Sequence, residues 1–237
     1  MVHLLIIVKI FEPDSCLRPF IKSFVFVESN TRMSSRLLPG TSLVAAIRLR
    51  GNVRFKTQDD SYTSIPMFSI SGLRSSYRMA EYASDSSNIL VEFWEGGAAA
   101  FLDLPLHELF ESNIPLDGFF RPSGLTRLQD QLEAHETVAM KVWLVQEFLI
   151  SKLHAPKTDI LITNAVEKIK SSNGLLSVKQ LAENLHISLD PFEKRFRKII
   201  GATPKQFSDI IRMKSLIANI KPNHSILDSA LDAGFHF

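Results

Sequence analysis

The chain has 237 residues, 45% hydrophobic and 22% charged, which excludes a wholly disordered chain and the collagen-like and coiled-coil fibre classes. The formal net charge of +2 predicts no particular partner. A single cysteine, Cys16, excludes an intrachain disulfide framework and any metal site that needs two thiolates from one chain.

These features predict a cytoplasmic protein with no membrane partner. A reducing compartment is the simplest setting for a chain with one cysteine. The apolar run over residues 4–8 is too short for a signal peptide or a membrane span, and no later segment approaches the roughly 20 apolar residues that a span needs.

The charge is distributed unevenly along the chain. Residues 1–153 hold 15 Lys and Arg against 17 Asp and Glu, a net of −2, whereas residues 154–237 hold 12 against 8, a net of +4. The densest basic run is residues 194–198, KRFRK. A polyanion-binding module is one interpretation. A solvated helix surface is the other, and charge alone leaves both open.

The first hundred residues predict strands. Short β-branched or aromatic runs alternate with turn residues, and this spacing is typical of an antiparallel sheet or a small barrel. The predicted strands lie within residues 24–27, 43–49, 53–55 and 89–94, and the predicted turns lie at 39–40, 51–52, 59–61, 71–72 and 85–88.

Helices are predicted to follow the strands. Residues 104–110 predict a short helix, and residues 124–153 carry apolar residues at spacings of three, four and seven. These apolar residues are Leu125, Leu128, Leu132, Val142, Val145, Phe148 and Leu149. Because strands and helices do not alternate, the pattern favours an α+β fold: a mixed β-sheet or barrel-like domain with following helices, then an all-α domain.

We place the domain boundary at residues 154–157, HAPK, so that residues 1–153 form a front domain and residues 157–237 a helical domain. The helical domain begins with a helix over residues 159–171. Its periodicity predicts a buried side made of Ile162, Ala165, Val166 and Ile169.

Residues 177–201 predict two helices joined by a short connection. Ser177 and Gln180 have the spacing of a capping box, and the first helix has an apolar face at Val178, Leu181, Ala182 and Leu185. Ser188 is a suitable N-cap for the second helix, Pro191 falls in its first turn, and Gly201 is the expected residue at its end.

The second helix, residues 189–200, divides into two faces at about 100° per residue. Phe192, Phe196, Ile199 and Ile200 lie on one side and are expected to be buried. Asp190, Lys194, Arg197 and Lys198 lie largely on the other, with Glu193 at its edge. A pair of helices in which the second has a cationic outer face is typical of a protein that reads the DNA major groove. The alternative interpretation is that the outer charges serve only solubility.

The segment SVKQLAENLHISLDPFEKRFRKIIGATPKQFSDIIRMKSLI resembles the AraC/XylS family of bacterial transcription regulators. It carries the family's Leu-Ala pair in the first helix, a serine before the recognition helix, an R-F-(R/K)-K core, and G-x-(S/T)-P followed by an aromatic residue. Arg212 stands where the family has an arginine on its linker helix. The resemblance implies that this helix is capped by Thr203, begins at Pro204 and ends near Ile220.

The family has a second helix-turn-helix, and residues 225–237, SILDSALDAGFHF, resemble its first helix at Ala230, Gly234 and Phe235. The second recognition helix does not follow in this sequence. A truncated product or an interrupted reading frame would explain this, and either one weakens the expectation of tight operator binding. We expect local disorder or intermolecular packing there, because the apolar face that includes Phe235 and Phe237 has no cover.

Residues 1–153 resemble, more loosely, the sensory domain of one AraC subgroup. The matching segments are FEPDSCLRPFIKSFVFVES, LLPGTSLVAAIRLRG and VEFWEGGAAAFLDLPLHELF. The resemblance implies that this domain senses a small-molecule effector or forms a homodimer, and nothing in its sequence identifies the effector.

No enzyme, cofactor or metal site is predicted. Residues 107–111, HELFE, lack the second histidine of a metalloprotease helix, and there is no P-loop or nucleophile elbow. Gly96 and Gly97 predict a tight turn rather than a dinucleotide site. We expect Cys16 to be a small buried residue in a strand, and Phe93 and Trp94 to be core residues. A small-molecule enzyme built on the front domain is the third function hypothesis, beside a DNA-binding regulator and a binding or dimerisation module.

The sequence thus predicts a regulator that binds double-stranded DNA through the helix at residues 189–200. We expect Lys194 and Arg197 to enter the groove and Asp190 and Glu193 to read bases. The residues expected to meet phosphates are Arg195, Lys198, Lys179 and Lys205. The alternative is a ligand-binding or dimerisation module that has lost specific DNA binding through truncation.

Overall fold

The computed structural model describes residues 6–57, 59–154 and 159–220. The strands are β1 (Ile6–Phe11), β2 (Ile21–Ser29), β3 (Met33–Leu37), β4 (Val44–Arg50), β5 (Val53–Lys56), β6 (Tyr62–Ser64), β7 (Phe68–Ser71), β8 (Arg78–Tyr82), β9 (Ser86–Phe93) and β10 (Asn113–Pro115). The α-helices are α1 (Pro122–Ala134), α2 (Val138–Ile150), α3 (Ile160–Ser171), α4 (Val178–Asn184), α5 (Leu189–Ile200) and α6 (Pro204–Asn219). Short 3-10 turns span Gly97–Ala100, Leu106–Leu109 and Leu116–Gly118. Within the described ranges, none of the helices has the length and apolar character needed to cross a membrane.

The strands form two antiparallel sheets. The larger sheet has six strands in the order β1-β2-β9-β4-β7-β10, and the smaller has four in the order β3-β8-β5-β6. The α+β class is therefore confirmed, but the expected barrel is wrong. Closing a barrel requires the edge strands to pair, and in the described chain β1 and β10 at the edges of the larger sheet pair with no strand of the smaller one. The antiparallel sheet, the other alternative that the strand spacing predicts, is confirmed, since every described strand pair is antiparallel, and the sheet is therefore not mixed.

Alternation along β9 gives the larger sheet two different faces. Successive side chains of a strand point to opposite sides, so Ile89, Val91 and Phe93 share one face. Val91 and Phe93 lie with residues of α1 and α2 around the core, where Leu128, Val145 and Leu149 are buried. The opposite face of β9 presents Asn88, Leu90 and Glu92 to a cavity that the smaller sheet also lines.

The two helices that follow the sheets agree with the predicted periodicity. Leu125, Leu128 and Leu132 of α1 are buried, as are Val142, Val145 and Leu149 of α2. Phe148 is half-buried, and its ring lies edge-on to Phe120 with 5.4 Å between the ring centroids. The predicted helix over residues 104–110 is a single 3-10 turn, Leu106–Leu109.

Sequence reasoning does not predict several of the strands. The short strands β3, β6, β7, β8 and β10 lack a clear apolar run, and β1 overlaps an apolar stretch of only five residues. The predicted turn at residues 85–88 is wrong beyond Asp85. Strand β9 begins at Ser86, and Ser86, Ser87 and Asn88 are buried in it. Their polar composition is typical of a turn, but pairing with β2 and β4 on either side holds them in the sheet.

Two residues of the front segment are more exposed than predicted. Cys16 lies in a turn and is exposed, so the expectation of a buried strand residue is wrong. Trp94 is also exposed, because it follows the end of β9 and its indole Nε1 donates to the Arg18 carbonyl at the surface. Phe93 is buried as expected. The predicted turn at Gly96 is confirmed by its φ of 80°.

The helices of the carboxy-terminal segment begin and end close to the predicted residues. Asp159 caps α3, whose buried residues are Ile162, Ala165, Val166 and Ile169, as predicted. Ser177 and Gln180 form the predicted capping box of α4, and Thr203 and Gln206 form another at α6. Residues 155–157 of the predicted domain boundary lie outside the described ranges.

The front segment packs directly against the helices of the second segment. Buried residues of both belong to one continuous apolar cluster. The 3-10 turn Leu106–Leu109 packs on α5. At the same contact, a Cβ built on Gly96 would lie 3.1 Å from Ile199 Cγ2, and one built on Gly201 would lie 3.1 Å from the Leu106 carbonyl oxygen. The two segments therefore meet at the end of α5.

Candidate functional site

Helix α5 begins and ends at residues whose backbone suits these positions. Ser188 is the N-cap residue, as predicted, with an extended backbone, although its side chain makes no capping hydrogen bond. Pro191 lies in the first turn, where its missing N–H removes no helical hydrogen bond. Gly201 ends the helix with a φ of 94°, a conformation that costs a residue with a Cβ about 1–2 kcal/mol.

Two phenylalanines anchor the inner face of α5. Phe192 and Phe196 are each 0% exposed, and their ring centroids are 5.8 Å apart. The Phe196 ring also lies edge-on to Phe207 of α6, at 5.7 Å. Ile200, one turn further, is buried as well. This apolar contact fixes the rotation of α5 about its axis, so the opposite side of the helix faces outward.

The outer face of α5 carries charged side chains. Lys194, Arg197 and Lys198 are exposed, as is Asp190, while Glu193 is half-buried. Residues 190, 194 and 197 have the i, i+4, i+7 spacing of one helix face and span about 10 Å along the axis. Among the described residues, no carboxylate forms an ion pair with Lys194, Arg197 or Lys198.

The other predicted phosphate contacts differ in their surroundings. Lys179 is exposed on α4. Lys205 lies 3.3 Å from Asp209 on α6, in an exposed pair. Arg195, whose side chain is 49% exposed, donates from Nε to the Asp159 carboxylate, which is 12% exposed. Arg195 therefore holds α5 against the start of α3, an internal role that the sequence did not reveal.

The connection between α4 and α5 is tight. His186 has a φ of 53°, in the left-handed region that a non-glycine residue enters only at a turn. The Ile187 N–H donates to the Ala182 carbonyl, and the Ile187 side chain packs against the apolar cluster, as predicted for a residue that fills the corner between two helices. The predicted helix pair is thus present, with α4 and α5 in contact.

A second candidate site is the cavity between the two sheets, which we call the inter-sheet cavity. Its volume is about 450 Å³. Strands β4, β7 and β9 of the larger sheet line one side, and β3, β5 and β8 of the smaller sheet line the other. Apolar side chains such as Val44, Phe55 and Leu90 alternate there with polar ones. Sequence reasoning did not find this cavity, because its residues come from eight strands that are distant in the chain.

One side of the inter-sheet cavity reaches the carboxy-terminal helices. Lys214 of α6 contributes to its lining, together with Lys22 and Thr41 of the front segment. Oε1 of Glu95 lies 2.7 Å from Nζ of Lys170 on α3, and Thr41 is one of the residues that lower the pKa of the Glu95 carboxyl. Polar groups of α3 and α6 therefore lie at or near this side of the cavity.

The protonation of Glu95 reflects these partners. Burial raises the pKa of its carboxyl, since the side chain is only 9% exposed. The hydrogen bond and charge of Lys170, together with a backbone hydrogen bond and Thr41, lower this pKa by more than burial raises it. The result is a pKa below the ordinary value of 4.5. Glu95 is accordingly ionised at neutral pH and paired with the second segment.

Comparison with protein families found one match. Residues 9–115, less than half of the chain, match a family described as a domain of unknown function, DUF6597. No curated protein matches the chain. The match covers all the strands from β2 to β10 and so includes most of the lining of the inter-sheet cavity, but it leaves out the helices.

Comparison with solved structures found low-identity likenesses. ToxT from Vibrio cholerae, in a 1.65 Å structure, is 13% identical, with 90% of each chain covered and a TM-score of 0.43. ToxT from Vibrio cholerae strain SCE256 with an unsaturated fatty acid bound is 12% identical, with 95% of this chain and 88% of that chain covered and a TM-score of 0.42. The AraC-like transcriptional activator CuxR is 13% identical, with 95% and 91% covered and a TM-score of 0.33. With TM-scores below 0.5, these likenesses support no assignment of residues or ligands.

Residues 225–237, which resemble the first helix of a second helix-turn-helix, lie outside the described residues. The expectations for Phe235 and Phe237 therefore stay predictions, as does the expectation of a homodimer.

Proposed function

We propose that this chain is a DNA-binding transcription regulator of the AraC type, in which α5 enters the major groove and the inter-sheet cavity binds a small-molecule effector. One observation carries the DNA-binding part. The same helix that buries Phe192 and Phe196 completely leaves Lys194, Arg197 and Lys198 exposed and without carboxylate partners in the described chain.

The exposed face of α5 suits the major groove of DNA, which is about 12 Å wide and admits one helix. Lys194 and Arg197 offer donors to guanine or phosphate acceptors from successive turns, and Asp190 on the same face offers an acceptor to a cytosine amino group. We assign phosphate contacts to Lys198 and Lys179, which are both exposed. We assign Arg195 and Lys205 weaker phosphate contacts, because Asp159 and Asp209 already hold them.

Regulation would follow from a shift in population. An effector that binds more tightly to one arrangement of the front segment favours that arrangement, and only such differential affinity can change how α5 is presented to DNA. The contact of the Leu106–Leu109 turn with α5, and the Glu95–Lys170 pair, are the links through which the two segments would respond together.

Fluorescence anisotropy with labelled duplexes selected from a random pool tests the DNA-binding part. We expect the full chain to prefer selected duplexes over bulk competitor DNA. Lys194→Ala with Arg197→Ala should weaken binding, because a base contact is worth about 1–3 kcal/mol. The double variant should also lower the salt slope by about one for each phosphate that these side chains neutralise in the wild type.

The matched control is Arg121→Ala with Arg127→Ala, which removes the same charge from exposed positions before and on α1. It should leave the sequence preference unchanged. Equal affinity and preference for the α5 double variant and the wild type would show that α5 is not the reader. A wild-type chain with no preference over competitor would favour the ligand-binding or dimerisation module instead.

A further inference from the structure

The inter-sheet cavity has an excess of positive charge. Of the residues that the structure describes, one carboxylate, Glu92, lines it, against five cationic side chains: Lys22, Arg36, Arg48, Arg74 and Lys214. Nζ of Lys22 lies 4.0 Å from Glu92. Within the described residues, the other four cations form no ion pair with a carboxylate. Internal carboxylates therefore leave most of this charge uncompensated.

Arg74 is the cation whose position is most informative. It is half-buried beyond the end of β7, and it lines both the cavity and an adjoining groove. Burial lowers the pKa of its guanidinium, and the charge of Arg78 lowers it further, while Glu111 acts in the opposite direction. The Glu111 carboxylate is itself occupied, because its Oε1 accepts from the backbone N–H and the hydroxyl of Ser75 at 2.7 and 2.6 Å.

One amide atom on each of two residues of the lining is buried without a hydrogen-bond partner in the described chain. Nδ2 of Asn88, a residue that is 5% exposed, and Oδ1 of Asn113 are buried and form no hydrogen bond within the described chain. Both residues line the cavity. A buried donor or acceptor without a partner costs about 1–3 kcal/mol, so a ligand that supplies hydrogen-bonding groups there gains affinity.

We propose that the inter-sheet cavity binds a small organic anion that carries hydrogen-bonding groups, with its anionic group beside Arg74. This inference rests on the proposed function, since it names the chemical class of the effector assigned to the same cavity. A volume of about 450 Å³ falls within the range of about 300–1,000 Å³ typical of small-molecule sites. A neutral hydrocarbon would leave the Arg74 guanidinium and the Asn88 amide without partners, and a metal cation would be repelled by the surrounding charge.

Two fluorescent probes with similar apolar rings test the charge requirement. 8-Anilinonaphthalene-1-sulfonate carries an anionic sulfonate, whereas N-phenyl-1-naphthylamine is neutral. Both are titrated into the full chain and their dissociation constants compared. We expect the sulfonate probe to bind more tightly than the neutral one, and the difference to shrink as salt screens the charge. Tighter binding of the neutral probe would contradict the proposal.

Arg74→Gln tests the assigned residue. We expect it to raise the dissociation constant of the sulfonate probe about tenfold, the effect of losing a charge-assisted hydrogen bond, and to change that of the neutral probe less than about twofold. Arg127→Gln, an exposed substitution on α1, is the matched control and should change neither constant. An unchanged sulfonate affinity in Arg74→Gln, or equal losses for both probes, would overturn the assignment.

Asn113→Asp is a second variant, in case Arg74→Gln impairs folding. It adds a carboxylate to the same lining and should weaken the sulfonate probe selectively, whereas unchanged binding of that probe would count against the proposal. Circular dichroism and urea midpoints identify variants that fold as the wild type does. No DNA enters these titrations, so their failure is distinct from a failure of the duplex measurements with the α5 variants.

Discussion

Glu95 and Lys170 form an ion pair, 2.7 Å from Oε1 to Nζ, that joins the front segment to α3. Glu95 follows β9, and Thr41, a residue that lines the inter-sheet cavity, contributes with Lys170 to lowering the pKa of its carboxyl. The protonation of one carboxylate thus depends on both the cavity lining and the second segment. A ligand that displaces Thr41 would alter the surroundings of the ion pair.

Glu95→Gln removes the charge of this carboxylate and keeps its shape. We expect the free energy of unfolding at pH 7 to fall by about 1–2 kcal/mol, because a hydrogen bond between charged groups at a mostly buried position is replaced by a neutral one. Urea unfolding at equilibrium measures the change. Glu136→Gln, at an exposed position just before α2, is the control and should cost less than about 0.5 kcal/mol.

The stabilisation from Glu95 should depend on pH with a defined sign. Its folded-state pKa lies below the ordinary value of 4.5, so its contribution is fully present above pH 4.5 and is lost as the pH falls through the folded-state pKa. We expect the difference in unfolding free energy between the wild type and Glu95→Gln to shrink below pH 4.5. A difference that stays constant down to about pH 3 would show that the charge of Glu95 does not stabilise the fold.

The carboxy-terminal helices could be predicted because their determinants are local. Capping boxes at Ser177 and Thr203 are formed by residues three apart, and Gly201 ends α5 through its own backbone conformation. The burial of Phe192 and Phe196 follows from helical periodicity. These features need no knowledge of the rest of the chain.

The sheets and the cavity could not be predicted in the same way. Asn88 has the composition of a turn, yet it is held in β9 by pairing with Val27 and Arg48, which lie 61 and 40 positions earlier in the chain. Arg74 and Lys214 line one cavity although they are far apart in sequence. Likewise, the sequence predicts a phosphate contact for Arg195 because it does not show that Asp159 lies beside this side chain.

Gly201→Ala tests the end of α5. The substitution forces a residue with a Cβ to adopt a φ of 94° and places this atom 3.1 Å from the Leu106 carbonyl oxygen. We expect a loss of about 1–2 kcal/mol in the free energy of unfolding, measured by urea denaturation. Gly118→Ala is the matched control, because a Cβ there meets no atom within 4 Å. Equal stability of the two variants would contradict the strained end of α5.

Phe196→Ala tests the anchor that sets the orientation of α5. Phe196 is fully buried between Phe192 and Phe207, so we expect the free energy of unfolding to fall by about 3–5 kcal/mol. Leu189→Ala removes an exposed apolar side chain from the same helix and should cost less than about 1 kcal/mol. Similar costs for the two variants, measured by urea or thermal unfolding, would mean that Phe196 does not anchor the helix.

Asp159 both caps α3 and pairs with Arg195, and two substitutions separate these roles. Asn at this position can still accept from the Ile162 N–H, a bond of 3.2 Å in the structure, but loses the charge that holds Arg195. We therefore expect Asp159→Asn to cost about 0.5–1 kcal/mol and Asp159→Ala, which loses the cap as well, about 1–2 kcal/mol. Combining Asp159→Asn with Arg195→Gln in a double-mutant cycle isolates the pair, and the double variant should lose less stability than the two single variants together. Strictly additive losses would show that the Arg195–Asp159 contact does not hold α5 against α3, and Arg195 would then be free for the phosphate contact that the sequence predicts.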